Sequence, residues 1–216
     1  RIIQSIICQN KKIYYNDPIY HKYLYGRYIS NSDDFIKFEN TLKESHYKKI
    51  LLHAHCDSGK TYSLFHLDCL KNGEKQLILA VPNQIQAIQS RSYSSSGTGV
   101  IAICSDGDEI MPSPNSRVRY CCTYDVIDRF FETYTNEDFS KVIFAVDEAH
   151  TLKRAKSYRK EAIDKIRKLE KKVLSCGGIV LYITATAKTL YSETFDIIFD
   201  FKKRGVNSSV NASKIT

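Results

Sequence analysis

The 216-residue sequence is short of the features that would place it in a membrane, a secretory pathway or a disulfide scaffold. Its longest purely aliphatic run, Leu77–Val81, is far too short to cross a bilayer. The opening Ile2-Ile3 and Ile6-Ile7 pairs are interrupted by Gln4 and Ser5, which leaves no signal-peptide core. There is no CxxC pair, and the seven cysteines are odd in number, which argues against a disulfide framework or a structural zinc site. A reducing intracellular compartment, cytoplasmic in kind, is the expectation. No internal repeat is visible. The first residue is Arg1 rather than Met, so the expectation is a piece of a longer protein.

What is present describes a globular chain. Apolar residues make up 43% and charged residues 26%, enough to build a core. Lys and Arg outnumber Asp and Glu by 32 to 24, and a net charge of +8 favours an anionic partner such as nucleic acid. That charge has an address. Between Lys153 and Lys172 lie ten basic residues and three acids, which leaves the rest of the chain close to neutral. Ile163, Ile166, Leu169 and Val173 give the same stretch an apolar stripe at helical spacing. A basic-faced amphipathic helix is expected there. It reads first as a solvated face, with strand contact through Lys165, Lys168 and Lys172 as the alternative.

Residues 1–48 form a tyrosine-rich extension without a clean period. Within it, Asp33-Asp34 ahead of Phe35, Ile36, Phe38 and Leu42 predict a helix, with Ser32 as its N-cap. From residue 49 to 205, short apolar runs alternate with helical spacings. The runs are Ile50–Leu52, Gln76–Val81, Val100–Cys104, Val118–Thr123, Val142–Val146 and Ile179–Thr184; the helical stretches include Thr61–Leu70 and Gln84–Gln89. This alternation predicts an α/β fold of βαβ units, a mostly parallel sheet with helices on both faces. Ser92–Gly99 and Ser105–Arg117 read as loops, and 206–216 as a polar tail or linker. The Cys121-Cys122 pair sits in an apolar run and reads as buried strand thiols.

Three segments carry chemistry. In Ala54–Thr61 (AHCDSGKT) an apolar strand turns into a helix through Asp57, Ser58 and Gly59, with Lys60, Thr61 and Tyr62 opening the helix. Backbone N–H groups at such a corner converge on phosphates, a lysine reaches the terminal oxygens and a threonine hydroxyl ligates Mg²⁺. In Val142–His150 a hydrophobic strand ends in Asp147 and Glu148, where open α/β sheets bind ligands. Asp147 would hold the metal and Glu148 would orient and deprotonate a water. In Leu181–Ala187 a third strand ends in Thr184 and Thr186. A competing pattern is the His53/His55 pair, which also occurs in metal-dependent hydrolases. More simply, both imidazoles are packed on one face of the strand.

Taken together and in this order, the segments resemble the first RecA-like lobe of superfamily 2 helicases and translocases of DEAH-box type. Asp147-Glu148-Ala149-His150 gives that subgroup its name, Ala54–Thr61 is similar to motif I, and Thr184-Ala185-Thr186 to motif III. Val81-Pro82-Asn83 with Gln89 resembles motif Ia, and Cys122–Asp125 the Thr-Tyr segment ahead of the DEAH strand. The resemblance covers roughly residues 48–190. It implies a P-loop (Walker A) ATP hydrolase acting with ATP and Mg²⁺ on a DNA or RNA strand. Lys60 and Thr61 would meet the triphosphate, Asp147 and Glu148 would drive hydrolysis, and His150, Thr184 and Thr186 would couple nucleotide state to grip. Pro82, Asn83 and Thr123 would lie along the strand. The family hydrolyses ATP between two lobes, so the resemblance implies a second lobe and slow turnover by one alone. The chain departs from the motif at Asp57, where glycine is usual; a catalytically weak nucleotide-binding scaffold is the alternative this keeps open. No adenine-reading glutamine motif is identifiable; Gln4, Gln9 and the N-terminal tyrosines are its candidates.

Overall fold

A computed structural model describes residues 18–203 apart from 45, 96, 105–109, 155–158 and 191. The expected tail at 206–216, together with Gln4 and Gln9, lies outside the described residues. Eight strands form one sheet: β1 Ile19–Tyr25, β2 Lys49–Ala54, β3 Gln76–Val81, β4 Gly99–Ile103, β5 Val118–Thr123, β6 Val142–Val146, β7 Ile179–Thr184 and β8 Ile197–Lys203. Their order is β1-β8-β2-β7-β6-β3-β5-β4, and every pairing is parallel. The helices are α1 Asp33–Glu44, α2 Lys60–Phe65, α3 Asp68–Lys71, α4 Gln84–Gln89, α5 Phe130–Thr133, α6 Asn136–Ser140, α7 Thr151–Arg154 and α8 Lys160–Ser175.

The central strands are apolar along their whole length because both faces are covered, as a parallel sheet requires. One face carries Leu52, Leu79, Ala145 and Leu181 under Phe38 of α1, Leu64 of α2 and Ala87 of α4. The other carries Ile78, Phe144, Val146 and Tyr182 under Ile166, Leu169 and Val173 of α8. Each such aliphatic or aromatic side chain withdrawn from water contributes roughly 1.5–3 kcal/mol. Close packing needs glycine at Gly178, just ahead of β7, where an added Cβ would stand 2.4 Å from the Phe139 carbonyl and 2.6 Å from Val173 of α8. Cys121 and Cys122 are fully buried and belong to opposite faces. Burial pushes the Cys121 thiol up to about 12, as befits inert strand thiols.

Several local expectations need correction. The helical spacing from Thr61 to Leu70 is interrupted: α2 stops at Phe65 and α3 starts at Asp68, the chain turning at His66 and Leu67. The Ser32 hydroxyl donates backward to the Ile29 carbonyl at 2.7 Å and finishes a 3₁₀ turn. Two strands, β1 and β8, form outside the short apolar runs that mark the others. β1 is one edge of the sheet; its burial alternates from Tyr20 to Tyr25, but exposed Tyr20 and Leu24 are as apolar as buried Tyr23 and Tyr25, so the residue types do not record the alternation. Within the sheet it pairs with β8, which lies between it and β2. The N-terminal segment therefore shares the sheet with the rest, and Phe35 and Phe38 of α1 pack against Phe201 and Phe199 of β8. The basic helix is described as α7 and α8, with 155–158 between them outside the described residues.

Candidate nucleotide site

Because all strands run parallel, the loops that leave β2, β3, β5, β6 and β7 emerge on one edge of the sheet, and all the motif residues gather there. The loop after β2 has unusual backbone. Asp57 sits at φ 57° and Gly59 at φ 76°, both left-handed. Asp tolerates this region better than most residues, and the Asp57 side chain is exposed. At Gly59 a side chain would also meet Tyr28, whose ring stands 3.1 Å from the ideal Cβ position. Ser58 is buried, and its carbonyl accepts from the Ile29 N–H at 3.0 Å. The segment just after β1 thus braces the loop, a contact between residues 29 positions apart that no local pattern announces.

Lys60 is 7% exposed and donates from Nζ to the His55 carbonyl at 2.7 Å, closing the loop on itself. Thr61 Oγ1 donates to Asp147 Oδ2 at 3.0 Å, which joins the ends of β2 and β6. Tyr62 is on the exposed side of α2, stacked on His66.

The tetrad after β6 is held from three sides. Asp147 accepts from the Glu148 N–H through Oδ1 at 2.8 Å, and its carbonyl accepts from the buried Tyr124 hydroxyl at 2.6 Å. The Ala149 N–H donates to the Ile183 carbonyl of β7 at 2.9 Å. Burial pushes the Asp147 carboxyl above its usual range, mainly against the Glu148 N–H. Glu148 has φ 47°, and with Asp57 it forms the pair of non-glycine positive-φ residues among those described. Both lie in this site, where such strain concentrates. Glu148 Oε2 is 3.2 Å from His150 Nδ1, which is itself 3.1 Å from Thr184 Oγ1. Thr184 is fully buried, and its oxygen also accepts the Thr186 N–H at 2.9 Å. A continuous line of contacts therefore runs from the carboxylate after β6 to the threonines after β7.

The other predicted positions are less uniform. Asn83 is exposed and caps α4, accepting the Gln86 N–H at 2.9 Å. Thr123 is 2% exposed, with no hydrogen-bond partner for its hydroxyl among the described residues. The Pro82 carbonyl accepts from Arg159 at 2.7 Å, and Arg159 also pairs with Asp125 and lies over the Tyr124 ring. Arg159 thereby ties the loop after β3 to the loop after β5; in the sequence it is one of ten clustered bases. On α8, Lys165 is answered by Asp128 at 2.9 Å and Glu161 at 3.5 Å, and Lys168 lies over the Phe131 ring.

His53 and His55 are not brought together. His53 faces Asp200 Oδ1 at 2.9 Å and the Ala185 carbonyl at 3.2 Å, while His55 lies past the strand end and is exposed. Tyr20 holds the other Asp200 oxygen at 2.6 Å, so this polar contact fastens β1 and β8 to β2. Burial works against the Asp200 carboxylate, but His53 and Tyr20 hold it below its usual range. Among the described residues no group of three or more His, Cys, Asp and Glu could hold a metal.

No family model matches the sequence, and no curated protein does. Among solved structures, the crystal structure of the Pyrococcus furiosus Hef helicase domain is similar over 80% of this chain, at 16% identity and a TM-score of 0.52. The likeness is one of fold. It bears out the expected RecA-like α/β fold with a parallel sheet, and this chain spans 39% of the Hef chain. No helix among the described residues is long and apolar enough to cross a membrane.

Proposed function

We propose that this chain is the ATP-binding lobe of an ATP-dependent nucleic-acid helicase or translocase, of the DEAH-box kind. The observation that carries the reading is the 3.0 Å contact between Thr61 and Asp147, two positions 86 residues apart. It joins an SGKT corner to the first acid of a DEAH tetrad on the carboxyl edge of a parallel sheet. The likeness to the Hef helicase domain supports the helicase assignment.

Thr61 and Asp147 offer a hydroxyl and a carboxylate oxygen side by side, a donor set that suits a hard divalent ion such as Mg²⁺. When bound with ATP, that ion would neutralise charge on the phosphates. The backbone N–H groups of 58–61 open α2 and would cradle the phosphates. Lys60 would exchange the His55 carbonyl for a phosphate oxygen. Glu148 would take a proton from the attacking water at a carboxylate oxygen, oriented by its contact with His150. His150, Thr184 and Thr186 would pass the change to the loop where Pro82 and Asn83 would face the strand, and to the loop after β5, whose Thr123 is buried here and would meet the strand only if that loop opened. Among the N-terminal tyrosines, Tyr28 packs on Gly59 and would contact the base. The intact Glu148–His150 contact favours hydrolysis over a retired scaffold, and Asp57 turned outward removes its charge from the cradle.

Turnover is expected to be slow for this chain alone, since an arginine finger supplied by a second lobe contributes roughly 10³–10⁵ in rate in related chemistry. The test is Mg²⁺-dependent binding of a fluorescent ATP analogue to the chain, with a steady-state ATPase assay beside it. Absence of magnesium-dependent binding would refute the nucleotide site. Several turnovers per second would refute the need for a second lobe.

A further inference from the structure

One buried charge, without a partner among the described residues, lies outside the nucleotide site. Arg119, the second residue of β5, is 1% exposed, yet Nε and Nη2 have no hydrogen-bond partner among the described residues. A guanidinium withdrawn from water without a counter-charge costs several kcal/mol. Burial accordingly pulls its pKa below the ordinary value.

Arg119 lines an open cavity of about 510 Å³ together with His66, Lys71, Ser95, Thr98 and Arg117. The lining holds three Lys or Arg side chains, a histidine and two hydroxyls, and no carboxylate. The nearest acid contact is on Lys71, which pairs with Asp68 at 3.0 Å on an exposed surface. The Ser95 and Thr98 hydroxyls, both in the lining, lie 2.6 Å apart across a single β-bridge. Its position separates it from the motif residues. Arg119 stands four residues before Thr123 on β5, roughly 13 Å along a parallel strand, towards the amino ends of the strands.

We propose that this pocket binds a phosphate group, carried by the free ion or by a small phosphomonoester. A planar guanidinium presents paired donors to two oxygens of such an anion, and two further cations match its double charge. A single carboxylate would leave most of that charge unanswered.

The test is thermal-shift and calorimetric titration of the whole chain with inorganic phosphate and with glycerol 2-phosphate. Chloride at matched ionic strength is the control and acetate the carboxylate comparison. Titrations are repeated in Lys60→Ala, which removes the lysine of the nucleotide loop. Phosphate affinity should persist within about twofold in Lys60→Ala and fall at least tenfold in Arg119→Met. Because Arg119→Met could disturb the core, Lys71→Gln/Arg117→Gln, at two exposed positions, supplies an independent measurement and should weaken binding at least threefold. Preference for the ion or for the ester identifies the source, and either supports the site. Loss of all phosphate binding in Lys60→Ala, wild-type affinity in the exposed double variant, or equal affinity for acetate would overturn it. ATP-analogue binding should survive Arg119→Met, so failure of the nucleotide reading and failure of this one give different patterns.

Discussion

Asp147 and Glu170 are buried to the same degree, each 5% exposed, and their carboxyls are displaced in opposite directions. Glu170 on α8 is surrounded by answers. Lys49 lies at 2.6 Å and Arg167 at 2.9 Å, and the Tyr182 hydroxyl donates at 2.9 Å. Burial would raise its pKa, but Lys49 and then Arg167 overcome it and hold the carboxyl below its usual range. Asp147 has a hydroxyl and one backbone N–H, and its neighbouring cation Lys60 is turned to the His55 carbonyl. Burial prevails there. The cost of burial is answered within the fold at Glu170 and is not answered there at Asp147. On the proposed reading, this is the electrostatic difference between a side chain that fastens a helix to a sheet and one that would hold a cation.

The comparison can be broken most severely from the Glu170 side. Glu170→Gln removes the charge that answers Lys49 and Arg167, and should destabilise the chain by about 3 kcal/mol in urea denaturation. A loss under about 1 kcal/mol would mean that Glu193, which also meets both cations, suffices without it. Next in size is Lys60→Ala, which should lower affinity for a magnesium-bound ATP analogue at least tenfold, or about 1.4 kcal/mol, while leaving the melting temperature nearly unchanged. A variant that still binds tightly would show that the lysine acts only on its own loop.

Asp147→Asn should abolish ATPase activity and yet raise stability, by less than Glu170→Gln lowers it. Its pH dependence sharpens the contrast. A carboxyl whose folded pKa is raised penalises the folded state above that pKa, and the penalty disappears as pH falls towards the ordinary value of 3.8. The advantage of Asp147→Asn should therefore shrink on acidification. Glu170 contributes stability that is complete above its ordinary 4.5 and lost as pH falls through its lower folded value. The deficit of Glu170→Gln should shrink too, but only at lower pH; denaturation curves from pH 7 to 3 would show both, and parallel curves would contradict the assignment. The smallest effect is expected from Lys165→Gln/Lys168→Gln/Lys172→Gln. Lys165 is paired with acids, Lys168 covers Phe131, and Lys172 donates to Asn136 Oδ1. Oligonucleotide affinity should change less than twofold, with a nearly constant salt slope. A slope reduced by more than one would assign the strand to this helix.

The legible parts of the fold were the ones buried on both faces. β3, β6 and β7 appear in the sequence as nearly unbroken apolar runs, because a central parallel strand has no solvent face to record. β1 and β8 were not legible. An edge strand with exposed Tyr20 and Lys22 needs neither alternation nor a continuous run, and its place depends on a partner 178 residues away. The site divides in the same way. Gly59, Lys60, Thr61, Asp147, Glu148, His150 and Thr184 are readable because each sits at a fixed offset from a strand end. Tyr28 against Gly59, Arg159 between Pro82 and Asp125, and the unanswered Arg119 are not readable, since each depends on contact between distant segments.

By itself the sequence determined the class of fold, the strands at its centre and the residue types offered at their ends, because burial and loop chemistry are local demands. The tertiary structure decided which of those residues meet. It also decided that Lys165 spends its charge on acids, that His53 is taken up by Asp200, and that of two equally buried carboxylates one is answered and the other is not. The charge that a buried group requires is set by every element packed around it, and no single stretch of sequence holds that information.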